Sequence, residues 1–548
     1  MPFDGLVTRK ICEEYNEILI NGKVDKIIEP SKDEIIFFIR NNRNTYKLLL
    51  SINAENARTN ITNIDNIVNP TKPFNFCMVL RKYLLNARLI SVVQIENDRI
   101  LNFVFENSNE LGDKEIKKII IEIMGKHSNI ILTTEKNTII DSIKHVDFSM
   151  SSVREVMPGR KYILPSTQEK QNPFSISKND FYNLIEKNHS LSDNFSGISS
   201  ILNSSENLYN YENFINFINS STPTLLYNKN ENELKDFYFN ALNYENFKSF
   251  SSISEVVDLF YSNKITCQKI NARKNNLLSI VNLSINKVQK KINIAEEKIK
   301  TTSDMEDIRK KGELLQANIY KIEPYTDKIT VEDYYNNNLP ISIELDENLS
   351  ASQNIQKIYK KYNKLKNTLI ASTNQKNILL NELNYLESLS FEIQLASSLD
   401  ELSDIESELI SEGFIKIQKN KKEIVKSTYL KFLYTGFSIF VGKNNVQNDN
   451  LTFSVANKSD IWFHVKNAPG SHTILKTNNL QPPQDVLNFV ASLAAFYSKL
   501  SNSPKVEVDF TTVKNVKKIP GAKPGMVIYE NYKTLYVAPN DGSAFLSQ

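Results

Sequence analysis

Cysteine is scarce in this chain: Cys12, Cys77 and Cys267 are its only three, far apart and without a CxxC pair. That excludes a disulfide framework and a cysteine zinc site, and it suits a reducing cytoplasm. No stretch approaches the roughly eighteen uninterrupted apolar residues of a membrane-spanning helix. The opening Met1-Pro2-Phe3-Asp4-Gly5 carries an acidic residue at once and no basic segment ahead of an apolar run. A standard secretion signal is therefore not expected, and the expected location is the cytoplasm. An excess of one charge is missing too. Lys+Arg stand at 66 against 63 Asp+Glu, so a nucleic-acid partner has to be met by local basic patches rather than a global field. GxGxxG, GxSxG and HExxH do not occur. Gly125-Lys126-His127-Ser128 lacks the upstream glycine and the adjacent Lys-Ser of a phosphate loop. Of five histidines only His464 and His472 are near one another, with no cysteine or third histidine beside them. No metal, cofactor or activated nucleophile is expected.

What is present is length and pattern. A chain of 548 residues is too long for one core, and 29 Phe and 24 Tyr suffice to fill several. The expected architecture is α+β and multidomain, in four segments. Residues 1–170 alternate strand and helix patterns, with a hairpin from Val24 to Arg40 turning at Pro30-Ser31-Lys32-Asp33, a helix from Phe76 to Leu85, and strands at 88–96, 100–106 and 130–134. Residues 171–262, Asn/Ser-rich and aromatic, read as a small helical domain. Residues 263–425 carry the clearest periodicity. Val281, Ile285, Val288, Ile292, Ala295 and Ile299 alternate four and three apart, and Ile358, Tyr362, Leu365, Leu369, Leu379, Leu383 and Leu386 form a second seam broken at Ser372 and Lys376. Period-two runs near 326–346 separate the seams, so a long antiparallel two-helix coiled coil with a small β tip is expected; two core helices of a globular domain are the alternative. Residues 426–548 read as a second α+β domain. Its expected strands are 434–442, 451–455, 460–465, 506–512 and 534–537, with one helix from Gln484 to Leu500.

Candidate functional residues gather at predicted turns and strand ends. Asp98-Arg99 lies at a hairpin corner, where it is either a weak surface ion pair or an Arg offered to phosphate or a base edge, its fork fixed by Asp98. Glu122-Ile123-Met124-Gly125 reads as a helix end capped by glycine before the next strand opens. In Asp460-Ile461-Trp462-Phe463-His464-Val465, period two places Asp460, Trp462 and His464 on one face. That face is exposed if Trp462, the single tryptophan, stacks on a base, and buried if the sheet packs on both sides. Lys514, Lys517, Lys518 and Lys523 lie among Gly521, Pro524 and Gly525 as a basic loop suited to phosphate, or as plain solvated surface.

These residues carry a resemblance. Met1-Pro2-Phe3-Asp4-Gly5-Leu6, the Asp98-Arg99 pair, EIMGKHSNIIL at 122–132, DSIKHV at 141–146 and Pro158-Gly159-Arg160-Lys161-Tyr162 resemble the N-terminal domain of the NFACT family. RKKGELLQANIY at 309–320 resembles the family's coiled-coil segment. DIWFHVKNAPGSH at 460–472 and GAKPGMVIY at 521–529 resemble its C-terminal domain. The matches are in order and cover nearly the whole chain, and its size resembles the bacterial members.

The resemblance implies a factor that binds the stalled large (50S) ribosomal subunit with its nascent peptidyl-tRNA. It would recruit tRNA, alanyl-tRNA by the match, for mRNA-independent alanine tailing, while the ribosome performs the peptidyl transfer. Asp4, Asp98 and Arg99, and the cluster Glu122, Ile123 and Met124, carry over as tRNA-binding positions. Asp460, Trp462 and His464, with Lys514, Lys517 and Lys518, are candidate rRNA or tRNA contacts. The chain departs from the family at Ser199-Ser200, where Ser-Pro is common, and at 354–359; both departures are expected to lie outside the tRNA site. The first domain also resembles formamidopyrimidine-type DNA glycosylases, but Phe3 follows Pro2 where their chemistry needs Glu, and their zinc-finger cysteines are missing. An enzyme of that class is one alternative. A fibronectin-binding surface adhesin is another, since relatives often carry that label, although no apolar C-terminal anchor is expected from Gly542 to Gln548.

Overall fold

The computed structural model describes residues 3–64, 70, 72–108, 113–151, 153–165, 170–228, 234–242, 246–416 and 428–547. Met1 and Pro2, on which the resemblance opens, lie outside them, as does the expected boundary at 425/426. The architecture is mixed α+β and multidomain, and the chain divides into two compact units, Met1–Cys267 and Gln268–Gln548.

The first unit opens with helix α1 (Gly5–Ile18), whose N-cap Asp4 accepts the Val7 N–H. Strands β1 (Lys23–Ser31), β2 (Glu34–Asn41), β3 (Asn44–Ser51) and β4 (Arg58–Ile61) follow. After α2 (Asn75–Leu84) come β5 (Arg88–Gln94), β6 (Ile100–Ser108), β7 (Lys114–Glu122), β8 (Asn129–Thr134) and β9 (Ile139–Ser142). All nine strands join one antiparallel sheet in the order β4-β3-β2-β1-β5-β6-β7-β8-β9. The expected hairpin is β1–β2 and the expected helix is α2. The helix expected to end at Glu122 is instead the interior strand β7. Its run Ile119-Ile120-Ile121 is buried on both faces, Ile119 and Ile121 in the main core and Ile120 in a smaller one. A strand covered on both sides loses its polar alternation, so period two is hidden.

The stretch after 171 holds α3 (Lys178–Lys187), α4 (Leu191–Asn194) and α5 (Tyr211–Asn219). It is not helical throughout: β10 (Thr224–Tyr227), β11 (Leu234–Tyr238) and β12 (Phe247–Ser249) form a three-stranded antiparallel sheet. Its core residues Phe181, Phe195, Phe214 and Tyr238 belong to the same hydrophobic cluster as Leu6, Val7 and Phe103 beneath the large sheet. One continuous core therefore fixes this stretch against the N-terminus of α1.

Helix α6 (Ile253–Lys300) begins in the first unit and runs on into the second, followed by α7 (Met305–Ala317), the hairpin β13 (Lys328–Asp333) and β14 (Leu339–Glu344), and α8 (Ala351–Leu395). Within the second unit α6 and α8 run antiparallel: Lys274 Nζ donates to the Gln394 carbonyl at one end, and Lys376 pairs with Glu296 at 2.9 Å further along. The seam residues Val281, Val288, Ile292, Leu379, Leu386 and Leu389 are buried together. Leu314, Leu315, Ile329, Val331 and Ile343 close a separate small core where α7 meets the hairpin and the start of α8.

Helix α9 (Leu399–Ser411) packs at the base of this pair. The rest is β15 (Leu430–Tyr434), β16 (Phe437–Val441), α10 (Asn445–Asn450), β17 (Ile461–Val465), β18 (Thr473–Leu475), α11 (Gln484–Phe496), β19 (Val506–Thr512), β20 (Val516–Lys518), β21 (Val527–Tyr529) and β22 (Lys533–Val537). Six of these strands form an antiparallel sheet, β15-β16-β18-β17-β19-β22, with α11 against one face. The strand expected at 451–455 is instead a wide helical turn continuing α10, closed by the Ala456 N–H on the Leu451 carbonyl at 2.9 Å.

Candidate functional site

Five separate stretches of sequence meet in a cleft of about 690 Å³ on the first unit. They are the N-terminus of α1, the β5–β6 corner, Met124 just past the end of β7, the segment carrying Pro165, Lys170 and Asn172, and the loop Ser196–Ser199. The corner is a tight turn in which the Asp98 N–H returns to the Ile95 carbonyl at 2.9 Å. Its two central residues, Glu96 and Asn97, have φ of 48° and 57°, both in the left-handed region, as at the centre of a type I′ turn. Asparagine adopts this region readily and glutamate does not, so the corner stores local strain.

The floor is set by close backbone approach. A Cβ on Gly197, whose φ is +74°, would stand 2.2 Å from the Asn97 carbonyl oxygen, and one on Gly5 would stand 2.1 Å from the same atom. Only glycine fits at either position. Gln94 Nε2 donates to both the Gly5 and Asp98 carbonyls, at 2.7 and 2.8 Å, which ties helix and corner together.

Asp98 and Arg99 line this cleft at 28% and 32% side-chain exposure, with Arg99 Nε 3.9 Å from Asp98 Oδ1. The Asp98 carboxylate also accepts the Arg99 N–H at 2.7 Å. Asp4 lines the cleft as well, but its carboxylate is committed inward: it accepts from Val7 N–H (2.9 Å), Ser199 N–H (3.2 Å) and Tyr238 Oη (2.8 Å). Burial pushes its pKa up against those three hydrogen bonds. Ser199 was expected outside the site, and the structure puts it in the cleft wall.

The second cluster divides. Met124 lines the cleft, whereas Ile123 is core and Glu122 is fully buried. Glu122 is held by Arg154 at 2.7 and 2.5 Å and by Tyr162 Oη at 2.8 Å. Sequence alone gave no sign of Arg154, Gln94, Gly197 or Tyr238 here. Their roles come from contacts across 32 to 234 residues of chain.

In the C-terminal domain the structure decides between the two readings of the Asp460–Trp462–His464 face: Trp462 and Asp460 are buried. Trp462 is fully inside a second small core with Leu451, Ile474, Val513 and Val516, on the sheet face opposite α11. Its ring stacks on His464 at 5.6 Å and meets Tyr529 at 4.8 Å and His472 edge-on at 5.2 Å. Both faces of β17 are covered, so period two assigned the residues to faces correctly and, of the two readings of this face, the buried one holds. Asp460 is buried too, accepting from Asn457 and Thr477 N–H at 2.7 and 3.1 Å and pairing with Lys476 at 2.9 Å. Burial lowers the pKa of partly buried His464. It pushes His472 down to about 3, with His464 beside it adding to the effect. Neither imidazole offers a positive charge to phosphate near neutral pH.

Lys514, Lys517 and Lys518 are exposed. Lys517 stands 3.5 Å from Glu530 and Lys518 2.6 Å from Asp449. Lys517 and Lys518 belong to strand β20 and Lys514 to the turn before it, and this segment packs in the same small core as Trp462 through Val513 and Val516. Among the described residues no cluster of His, Cys, Asp and Glu could hold a metal ion, and no helix is long and apolar enough to cross a membrane.

Residues 4–428 match the NFACT N-terminal and middle domains, and residues 428–531 match the NFACT protein RNA binding domain. A Streptococcus suis protein named Rqc2 homolog RqcH is 36% identical, covering 99% of both chains. The Bacillus subtilis protein of the same name is 33% identical, covering 98% of both. A solved structure, the N-terminal part of a fibronectin/fibrinogen-binding protein from Streptococcus suis, is 34% identical over 48% of this chain and 99% of its own, with a TM-score of 0.43. With both family domains matched in order and these relatives matched along nearly their full length, the chain belongs to the NFACT family.

Proposed function

We propose that this ribosome quality-control factor binds a large (50S) ribosomal subunit still holding nascent peptidyl-tRNA and recruits alanyl-tRNA to it. The nascent chain is then extended by alanines without mRNA and marked for degradation. Peptide-bond formation belongs to the ribosome; this chain selects and positions. The observation that carries the reading is the meeting, in one cleft, of Asp98, Arg99 and Met124 with the N-terminus of α1. A partly exposed guanidinium beside a strained corner suits a base edge or a phosphate, and the relatives' name supports the ribosomal setting. In this reading Asp98 and Arg99 contact tRNA, Met124 supplies an apolar wall, and Asp4 shapes the floor. Lys514, Lys517 and Lys518 give the C-terminal domain its phosphate contacts, while Asp460, Trp462 and His464 support them from within.

Sequencing the RNA that copurifies with the tagged, full-length protein tests this. Enriched alanine tRNA together with large-subunit rRNA is the expected result. RNA at background level, with retention on immobilised fibronectin, would replace this reading with the adhesin one.

A further inference from the structure

We propose that Arg154 and Tyr162 are positioning residues for the cleft, acting through the buried carboxylate of Glu122; the inference rests on reading the cleft as a tRNA site. Glu122 ends β7 with no exposed side-chain surface, so it cannot itself touch RNA. Both its oxygens are engaged. Arg154 donates Nη1 to Oε1 at 2.7 Å and Nη2 to Oε2 at 2.5 Å, and Tyr162 adds a bond to Oε1 at 2.8 Å. The same Nη1 also donates to the Ile163 carbonyl at 2.9 Å.

The clamp links two chain segments that line the cleft. On one side, Glu122 pairs with Ile100 across the sheet, and the next residue, Ile123, donates its N–H to the Arg99 carbonyl at 2.9 Å. Met124 follows in the cleft wall. On the other side, Tyr162 and Ile163 lead into Pro165, which also lines the cleft. Moving the Glu122 carboxylate therefore moves Arg99 and Met124 relative to Pro165.

Stability alone is a poor reason for this arrangement. A buried ion pair is often no better for folding than apolar residues of equal volume. A two-pronged contact instead fixes an angle and a distance, which a recognition site needs and a core does not.

The test uses the full-length chain carrying Arg154→Lys, which keeps the charge and loses the fork, or Tyr162→Phe, which keeps the ring and loses one bond. Alanine-tRNA affinity is measured over a range of salt, beside melting temperature and large-subunit cosedimentation. Affinity should fall roughly tenfold for Arg154→Lys and roughly threefold for Tyr162→Phe. The slope of log affinity against log salt should match the wild type, because no phosphate contact is lost. Arg99→Ala, by contrast, should flatten it by about 0.7–0.9 if its contact is to a phosphate. Adding Glu122→Gln to Arg154→Lys should cost little more than Arg154→Lys alone, as expected of one unit. Variants that melt lower yet bind tRNA like the wild type would show plain packing and overturn the proposal. A flattened slope for Arg154→Lys would make it a contact residue and also overturn it. Failure of the wild type to bind tRNA sinks both readings, whereas a defect confined to Arg99→Ala sinks only the clamp.

Discussion

Arg99 leaves a turn whose two central residues sit at positive φ, and its guanidinium stays about one-third exposed beside a weak partner, with Asp98 Oδ1 at 3.9 Å. An exposed pair of this kind is worth about 0–1 kcal/mol to folding. Arg99→Ala should therefore leave the melting temperature and large-subunit binding nearly unchanged while abolishing tRNA recruitment and alanine tailing. Arg99→Lys should fail almost as badly, because a lysine is a point charge and cannot make a forked contact. Tailing assayed with purified large subunits decides it: normal tailing by Arg99→Ala removes this residue from the site, and unfolding makes the pair structural. At this scale the sequence was informative where a polar residue sits on a turn. It misled where burial is decided by distant chain. Glu122 and Trp462 look like surface candidates until Arg154 and Tyr162, or Val513 and Tyr529, close over them.

Elements were legible in proportion to how one-sided their burial is. The seams of α6 and α8 face a single partner, so heptad spacing survived in the sequence. Strand β7 is apolar on both faces and showed no period. The base where α8 meets α9 hides a further feature, because Glu392 and Glu408 look like ordinary helix carboxylates in one dimension. Both are buried, and each keeps one oxygen without a hydrogen bond among the described residues. Tyr385 Oη and Asn445 Nδ2 donate to Glu408 at 2.7 and 3.3 Å. Burial nevertheless dominates, pushing Glu408 up to about 7, with Glu412 and Asp449 adding to the rise. Glu392 is raised well above the usual carboxylate range by burial and by Glu408. An acid raised in the folded state holds a proton that the unfolded chain releases. Its favourable contribution is present below about 4.5 and is lost as pH rises toward and past 7. The second unit should therefore melt at a lower temperature at pH 8 than at pH 5. Glu392→Gln should raise the pH 8 value by a few degrees and barely change the pH 5 value. Calorimetry at both pH values checks this, and a melting temperature that rises from pH 5 to pH 8 would contradict it.

For the whole molecule, a net charge of +3 leaves no general attraction to RNA, so attachment to a ribosome must come from particular elements. The two long helices of the second unit are the natural candidates. Residues 351–395 of α8 extend roughly 65 Å at about 1.5 Å per residue. Beyond the Glu296–Lys376 ion pair, the remaining turns of both helices lead to the small core of α7 and β13–β14. The order of these segments was readable from their periodicities; the exchange of contacts between distant segments was not, since no local pattern encodes it. The ion pair also marks where the stalk can be cut. Because Glu296 and Lys376 touch at 2.9 Å, excising 297–375 leaves helix ends that a short flexible linker of about six residues can rejoin. The seam residues Val281, Leu386 and Leu389 at the base stay packed. This variant should lose cosedimentation with large subunits at every salt concentration while its first unit still binds tRNA. The intact chain should bind large subunits with an affinity that falls linearly on a log–log plot against salt, by about 0.7–0.9 per phosphate neutralised. Cosedimentation undiminished by the excision would assign ribosome affinity to other elements. Association independent of salt would point to a protein ligand, such as a matrix component, in place of RNA.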